Sequence, residues 1–408
     1  MTTELNINFA SPDKVIVSFD NRGTEAITFK NPLTDEDREQ IRWYLEKYPV
    51  LYAADIDDDA ALKVANKLPE WGEKLFDALF KDDAAKRFFI YFQDSGKKNR
   101  LITISSAHPE ILSLPWELLK DPKGTYVLHE QPRISVRRNL SGAGGGREPF
   151  KVRAKKRLNL LFVVSRPKGA GFLDPRSDPQ AVLDALETHA QFRVDAEFLR
   201  PATIDKLIER LEDDSKPPID ILHFDGHGVF DADGQYNENA KTPSPSQDTG
   251  LTKKNDDTKT ANMGYLLFED KDGAKALISA EKLGNMLHRK QVGLIVLSAC
   301  QSAKIAGDDP MGSVAARLTH AGIPAVIAMT HSVLVDTTRA LFGSFYKHLA
   351  QGKAMGESLD NARRDLWLHP ERGERRRGMN TWITMKLQDW FLPALYQCGK
   401  DTAMLKPL

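Results

Sequence analysis

Two regimes of apolar patterning divide the chain. Up to about residue 140, short β-rich runs alternate with charged, amphipathic stretches; from residue 158 the apolar runs become nearly continuous and are separated by helical segments. In the first regime KVIVSF (14–19) and EAITF (25–29) flank Asp20-Asn21-Arg22-Gly23, which predicts a hairpin. Asp35 to Tyr48 sets Ile41, Tyr44, Leu45 and Tyr48 on one helical face, and a second helix is expected from Asp58 to Phe80. Strands are expected at FFIYF (88–92) and LITIS (101–105), a helical piece at LPWELL (114–119) and a short strand near Ile134. Residues 1–140 therefore read as a smaller α+β portion.

The second regime reads as strands LNLLFVVS (158–165), AEFLR (196–200), IDILHF (219–224), GYLLFE (264–269), VGLIVLS (292–298) and PAVIAM (324–329). Helices are expected at about 179–192, from 203, at about 280–289 and 312–320, and at about 333–350 and 354–368. Runs that are apolar on both faces and alternate with helices specify a mostly parallel sheet covered on both sides. The fold class is therefore α/β, with a doubly wound sheet over 158–408. Between the two units, 141–157 carries four glycines and then six Lys or Arg in eleven positions, and reads as a linker; no helix follows the glycines to make a phosphate loop. Residues 231–262 form a polar insert without Ile, Val, Phe or Trp, as in a lid, a processing site at Lys253-Lys254, or a disordered loop.

Composition narrows the possibilities. The chain has 408 residues, with 57 Lys plus Arg against 57 Asp plus Glu, so direct nucleic-acid binding, which draws on a basic surplus, is not expected. The basic cluster ERGERRR (371–377) reads as a solvated loop with internal ion pairs, with contact to an acidic partner or RNA as the functional alternative. The start MTTELNINFASPDK lacks the basic and apolar regions of a signal peptide, and the longest apolar runs fall well short of the roughly 18–20 residues of a membrane helix. Two cysteines, Cys300 and Cys398, cannot build a disulfide framework or a thiolate metal site, which points to a reducing cytoplasm; no cofactor or metal is expected. His223 and His227 are four apart, but FDG between them is not helical, so a zinc helix is not expected.

In an open α/β sheet, ligands bind beyond the carboxyl ends of the strands. IDILHF runs into DGHGVF and places His227 two or three residues past a strand end; VGLIVLS runs into ACQSA and places Cys300 at the equivalent end of another. A free thiol with a pKa of about 8.5 is only a few per cent ionised at neutral pH, and a neighbouring imidazole raises that fraction. Gly228, lacking a Cβ, would let a substrate carbonyl approach the backbone, and the amides of Gly228 and Cys300 could serve as an oxyanion hole. The pattern alone also admits the blander reading of a buried cysteine and a histidine satisfying local hydrogen bonds. Asp225 could orient the imidazole or only cap a turn.

HFDGHGVF, followed 73 residues after His227 by LSACQSA, resembles the CHAT-domain cysteine peptidases, which are caspase-like and related to separases. LPWELLKDPKGTYVLHEQPRISVRR (114–138) resembles the family's N-terminal signature, GIPAVIAMTHSVLVD (322–336) its post-cysteine strand, and GESLDNARRDL (356–366) with DWFLPALYQ (389–397) its C-terminal helices; together these cover about 120 to 400. The resemblance implies a caspase-like sheet and endopeptidase action on a protein substrate. Cys300 would be the nucleophile, His227 the base and then acid, and the amides of Gly228 and Cys300 the oxyanion hole. Separase relatives that cleave after basic residues suggest Asp336 as the substrate-binding carboxylate, with Asp231, Asp233, Asp308 and Asp309 as competitors. The family also implies regulated bacterial proteolysis, as in defence or cell death, under a sensor or tetratricopeptide-type module in cis or trans, although no 34-residue repeat is visible. A catalytically silent interaction scaffold is the alternative.

Overall fold

The chain opens with strand β1 (Thr2–Ser11), which returns through Pro12-Asp13 into β2 (Lys14–Phe19) and turns again into β3 (Arg22–Gly23) and β4 (Ile27–Thr28). Asp20 and Asn21 both have positive φ, the backbone a two-residue primed turn requires, and this forms the expected hairpin. β1 went unread, although Leu5, Ile7 and Phe9 alternate strictly and all three are buried. The structure, a computed structural model, describes residues 2–51, 55–95, 99–141, 146–170, 177–189, 193–231, 263–300, 310–377 and 381–407. Most of the 231–262 insert, with Lys253-Lys254, lies outside them.

Helix α1 (Asp35–Arg42) begins with a capping box at Thr34 and Asp37 and continues through a π-helical turn, Trp43–Lys47, into α2 (Tyr48–Leu51). Then come α3 (Asp55–Phe80) and α4 (Asp83–Gln93). The expected strand FFIYF is the body of α4. Asp82 accepts from the amides of Ala84 and Ala85, which fixes a helix start, and Ala85, Phe89 and Phe92 then bury one face at helical spacing. Aromatic content suggested a strand; the cap and the period decide for a helix.

Next come β5 (Asn99–Ser106), α5 (Pro109–Leu112), short 3₁₀ turns at Trp116–Leu118 and Val127–His129, and β6 (Ile134–Leu140). Residues 146–157 run against the later part of the chain, Arg147 donating its amide to His320 O and Lys155 to Met404 O. The α/β alternation proceeds through β7 (Leu158–Val164), α6 (Ser177–His189), β8 (Val194–Leu199), α7 (Ile204–Glu212), β9 (Ile221–Asp231), β10 (Met263–Glu269), β11 (Lys275–Ser279) and α8 (Ala280–Arg289). It continues with β12 (Leu294–Cys300), α9 (Pro310–His320), β13 (Ala325–Met329), α10 (Val335–Ala350) and α11 (Met355–Leu368). A separate hairpin, β14 (Glu371–Arg377) with β15 (Thr381–Lys386), precedes β16 (Pro393–Gln397).

Two expectations fail here. ERGERRR is not a loop but β14, and DWFLPALYQ holds no helix: its second half is β16, buried at every position. An apolar run with both faces covered reads equally as strand or helix segment, and the open slot between β13 and β6 decides for a strand.

One mostly parallel mixed sheet results, with helices on both faces. Its order is β8-β7-β9-β12-β13-β16-β6-β5-β1-β2, with β10 and β11 continuing the edge beside the far half of β9. Parallel pairing holds β7, β8, β9, β12 and β13 together, as it does β1, β5 and β6. One core packs α10, α11 and the N-terminal helices against one face; a second packs α7, α8 and α9 against the other. Among the described residues no helix is long and apolar enough to cross a membrane.

Candidate active site

β9 does not end at Phe224. It continues to Asp231, so His227 lies inside a strand rather than beyond one, and DGHGVF is strand backbone. The strand changes neighbour at this point. Through Asp225 it pairs in parallel with β7, ending at Val164↔Asp225; from His227 it pairs antiparallel with β10, beginning at Leu267↔His227. The sheet therefore forks beside His227.

The fork is fastened by Ser165 and Arg166, which belong to no motif in the sequence. Ser165 donates its hydroxyl to Leu267 O at 2.6 Å and its amide to Asp225 O at 2.9 Å. Arg166 places Nη2 2.7 Å from Asp225 Oδ2 and Nη1 2.7 Å from Asp225 O, while its amide donates to Glu269 Oε1 at 2.8 Å. Asp225, buried, is thus paired with the partly exposed Arg166 across the fork. The sequence signal for Arg166 is its position, two residues past the end of a parallel strand.

On its other side β9 pairs in parallel with β12, in a register running from Ile221↔Leu294 to His227↔Cys300. The histidine and the cysteine expected at separate strand ends are thus direct register partners on adjacent strands. Gly228 follows in β9 opposite Leu266 of β10. His227 is fully buried.

His223, four residues earlier on the same pleat, packs between Phe162 of β7 and Phe342 of α10, with Nδ1 3.3 Å from Tyr346 Oη. Burial pushes its pKa down to about 3, so it stays neutral in the core. Cys398 lies away from this row beside Asn139, and burial pushes its thiol up. Among the described residues no His, Cys, Asp or Glu cluster could hold a metal ion.

Asp336 stands in the first turn of α10, the helix that β13 feeds from the carboxyl edge of the sheet. It is held by Arg375 of β14, Nη2 to Oδ2 2.9 Å, and more loosely by Arg339, Nη1 to Oδ1 3.4 Å. The loop before it is tied down from two sides. The Ser332 amide donates to Glu46 Oε1 at 3.0 Å, and Thr330 Oγ1 donates to Leu392 O at 3.0 Å.

The LPWELL segment supports this architecture from below. Glu117, wholly buried, receives Arg138 of β6, with Nη2 2.7 Å from Oε2, and Arg363 of α11, with Nη2 3.1 Å from Oε1. Arg138 also donates to Leu112 O and Leu114 O, and Arg363 Nη1 to Asp360 Oδ1 at 2.9 Å. Burial raises the Asp360 carboxyl, against the lowering pull of Arg363.

A mostly parallel sheet, helices on both faces and a His–Cys row at its carboxyl edge together describe a caspase-like α/β protein. Residues 69–394 match the CHAT domain family model, and the chain belongs to that family, which is related to caspase-like peptidases. The match begins within α3, well before residue 120, and this helix packs on the LPWELL support: at Gly72 a Cβ would run into Leu118 O. No curated protein matches the chain.

Proposed function

We propose that the chain is a cysteine endopeptidase that uses Cys300 and His227 on a protein substrate and stays latent until a partner opens the site. The observation that carries this reading is the His227↔Cys300 register at the forked edge of the sheet. The Cys300 thiol gives its proton to the His227 imidazole, and the thiolate attacks the scissile carbonyl. The oxyanion is met by the amides of Gly228 and Cys300. His227 returns the proton to the leaving amine, and water, deprotonated by the same imidazole, then releases the acyl group and restores the thiol. Asp336 receives a basic side chain before the scissile bond. Full burial of His227 supports latency, since substrate must reach an imidazole that solvent does not. Two lone cysteines suit a cytoplasmic setting. A sensor or tetratricopeptide-type partner, in cis or trans, would supply the opening.

The test incubates the wild type, Cys300→Ala and His227→Ala with a bacterial proteome and maps new protein termini. Termini present with wild type and missing with both variants support the proposal; termini shared by all three overturn it.

A further inference from the structure

The carboxylate assigned to substrate already has an occupant. β14 carries one extra residue opposite β15, between Glu371↔Lys386 and Glu374↔Thr384, and this bulge contains Gly373 at φ +74°. A Cβ at 373 would lie 2.8 Å from Asp336 Oδ2, so the bulge backbone lies close against the carboxylate, and the positive φ favours glycine there. Two residues on, Arg375 delivers its guanidinium to the same oxygen at 2.9 Å. The hairpin cannot swing away freely, because the other bulge residue, Arg372, is buried in a two-pronged pair with Asp389: Nη2 to Oδ1 2.6 Å and Nε to Oδ2 3.0 Å.

Asp336 also stands at the level of the His–Cys row. α10 runs back along β9, and its Phe342 and Tyr346 flank His223. From His223 to His227 the strand advances roughly 13 Å at about 3.3 Å per residue. From Phe342 and Tyr346 back to Asp336 the helix covers roughly 9–15 Å at about 1.5 Å per residue. The two advances match.

We infer that Arg375 is an internal competitor: its guanidinium occupies Asp336 in place of a basic substrate side chain, and a substrate or activator must displace the β14–β15 hairpin arginine before a basic residue can be held. The inference rests on the assignment of Asp336 made above. It deepens that assignment by naming what keeps the subsite closed. Arg339 is a bystander, being more exposed and at the longer distance.

Benzamidine, a small aromatic amidinium, tests the occupancy without any need for turnover. Its binding to the full chain is measured by calorimetry for the wild type, Arg375→Ala, Arg339→Ala and the double variant Arg375→Ala/Asp336→Asn, each with a melting curve to show that it folds. Arg375→Ala should bind roughly tenfold or more tighter than wild type, the size of a freed charge-assisted hydrogen bond, and the double variant should lose the gain. Arg339→Ala should behave as wild type. A folded Arg375→Ala with no gain, a gain that survives Asp336→Asn, or an equal gain in Arg339→Ala overturns the inference. Cleavage of an arginyl peptide by Arg375→Ala, read against Arg375→Ala/Cys300→Ala, reports separately on the peptidase. If benzamidine behaves as expected while cleavage does not depend on Cys300, the occupancy stands and the peptidase reading falls.

Discussion

Cys300 of β12 and His227 of β9 are register partners on adjacent parallel strands, at the point where β9 exchanges β7 for β10. Both backbones are held there by the sheet ladder, and the proposed peptidase step draws its thiol and imidazole from these two positions. Cys300→Ala should therefore abolish cleavage and His227→Ala should lower it by about 10²–10⁴-fold, without loss of fold. Thiol labelling at pH 7 offers a check that needs no substrate. Cys398, whose thiol is pushed up by burial, should react slowly, and a fast phase should vanish in Cys300→Ala. A fast phase that survives this change and vanishes in Cys398→Ser would assign the reactive thiol to the wrong residue.

Glu117 lies between two buried guanidiniums, those of Arg138 and Arg363. Removing its charge takes from Arg138 the carboxylate it pairs with and leaves Arg363 with Asp360 alone, so Glu117→Ala should cost about 3–5 kcal/mol in urea unfolding. A loss below about 1 kcal/mol would mean that water replaces the carboxylate at little cost.

α3 comes close to the backbone of the LPWELL turn at Gly72, where a Cβ would run into Leu118 O. Backbone cannot rotate aside as a side chain can, so Gly72→Ala should destabilise by about 1–3 kcal/mol despite alanine's better helix propensity. An unchanged or raised melting temperature would refute the contact.

Burial lowers the His223 pKa to about 3 and the His129 pKa to about 4, both from 6.5. The unfolded chain therefore binds protons that the folded chain refuses. Stability is full above pH 6.5 and falls as the pH drops toward 4, by about 1.4 kcal/mol per pH unit for His223. Between pH 7.5 and 5 this residue alone should account for about 2 kcal/mol, and His223→Phe should remove that share of the pH dependence. The same slope in His223→Phe would rule out His223 as its source.

Much of this architecture is legible in the residues. The parallel strands announce themselves because LNLLFVV, ILHF, LIVLS and AVIAM are apolar on both faces, and two of them lead directly to His227 and Cys300. What escaped has physical causes. FFIYF follows the helical period only once Asp82 is seen as a cap, and PALYQ becomes a strand only because a slot in the sheet awaits it. The Glu117–Arg138–Arg363 cluster and the Arg375–Asp336 pair join residues far apart in the chain, which no local spacing reveals. His227 was expected past a strand end because the apolar run stops at Phe224; in β9 the strand continues through Gly226 and Gly228 across the fork.

Residues 393–397 are made after every strand they join, yet β16 occupies the middle of the sheet between β13 and β6. During synthesis, then, the block holding the His–Cys row and the block holding the N-terminal strands both leave the ribosome before the strand that bridges them. The sheet is therefore completed last at its centre rather than at an edge.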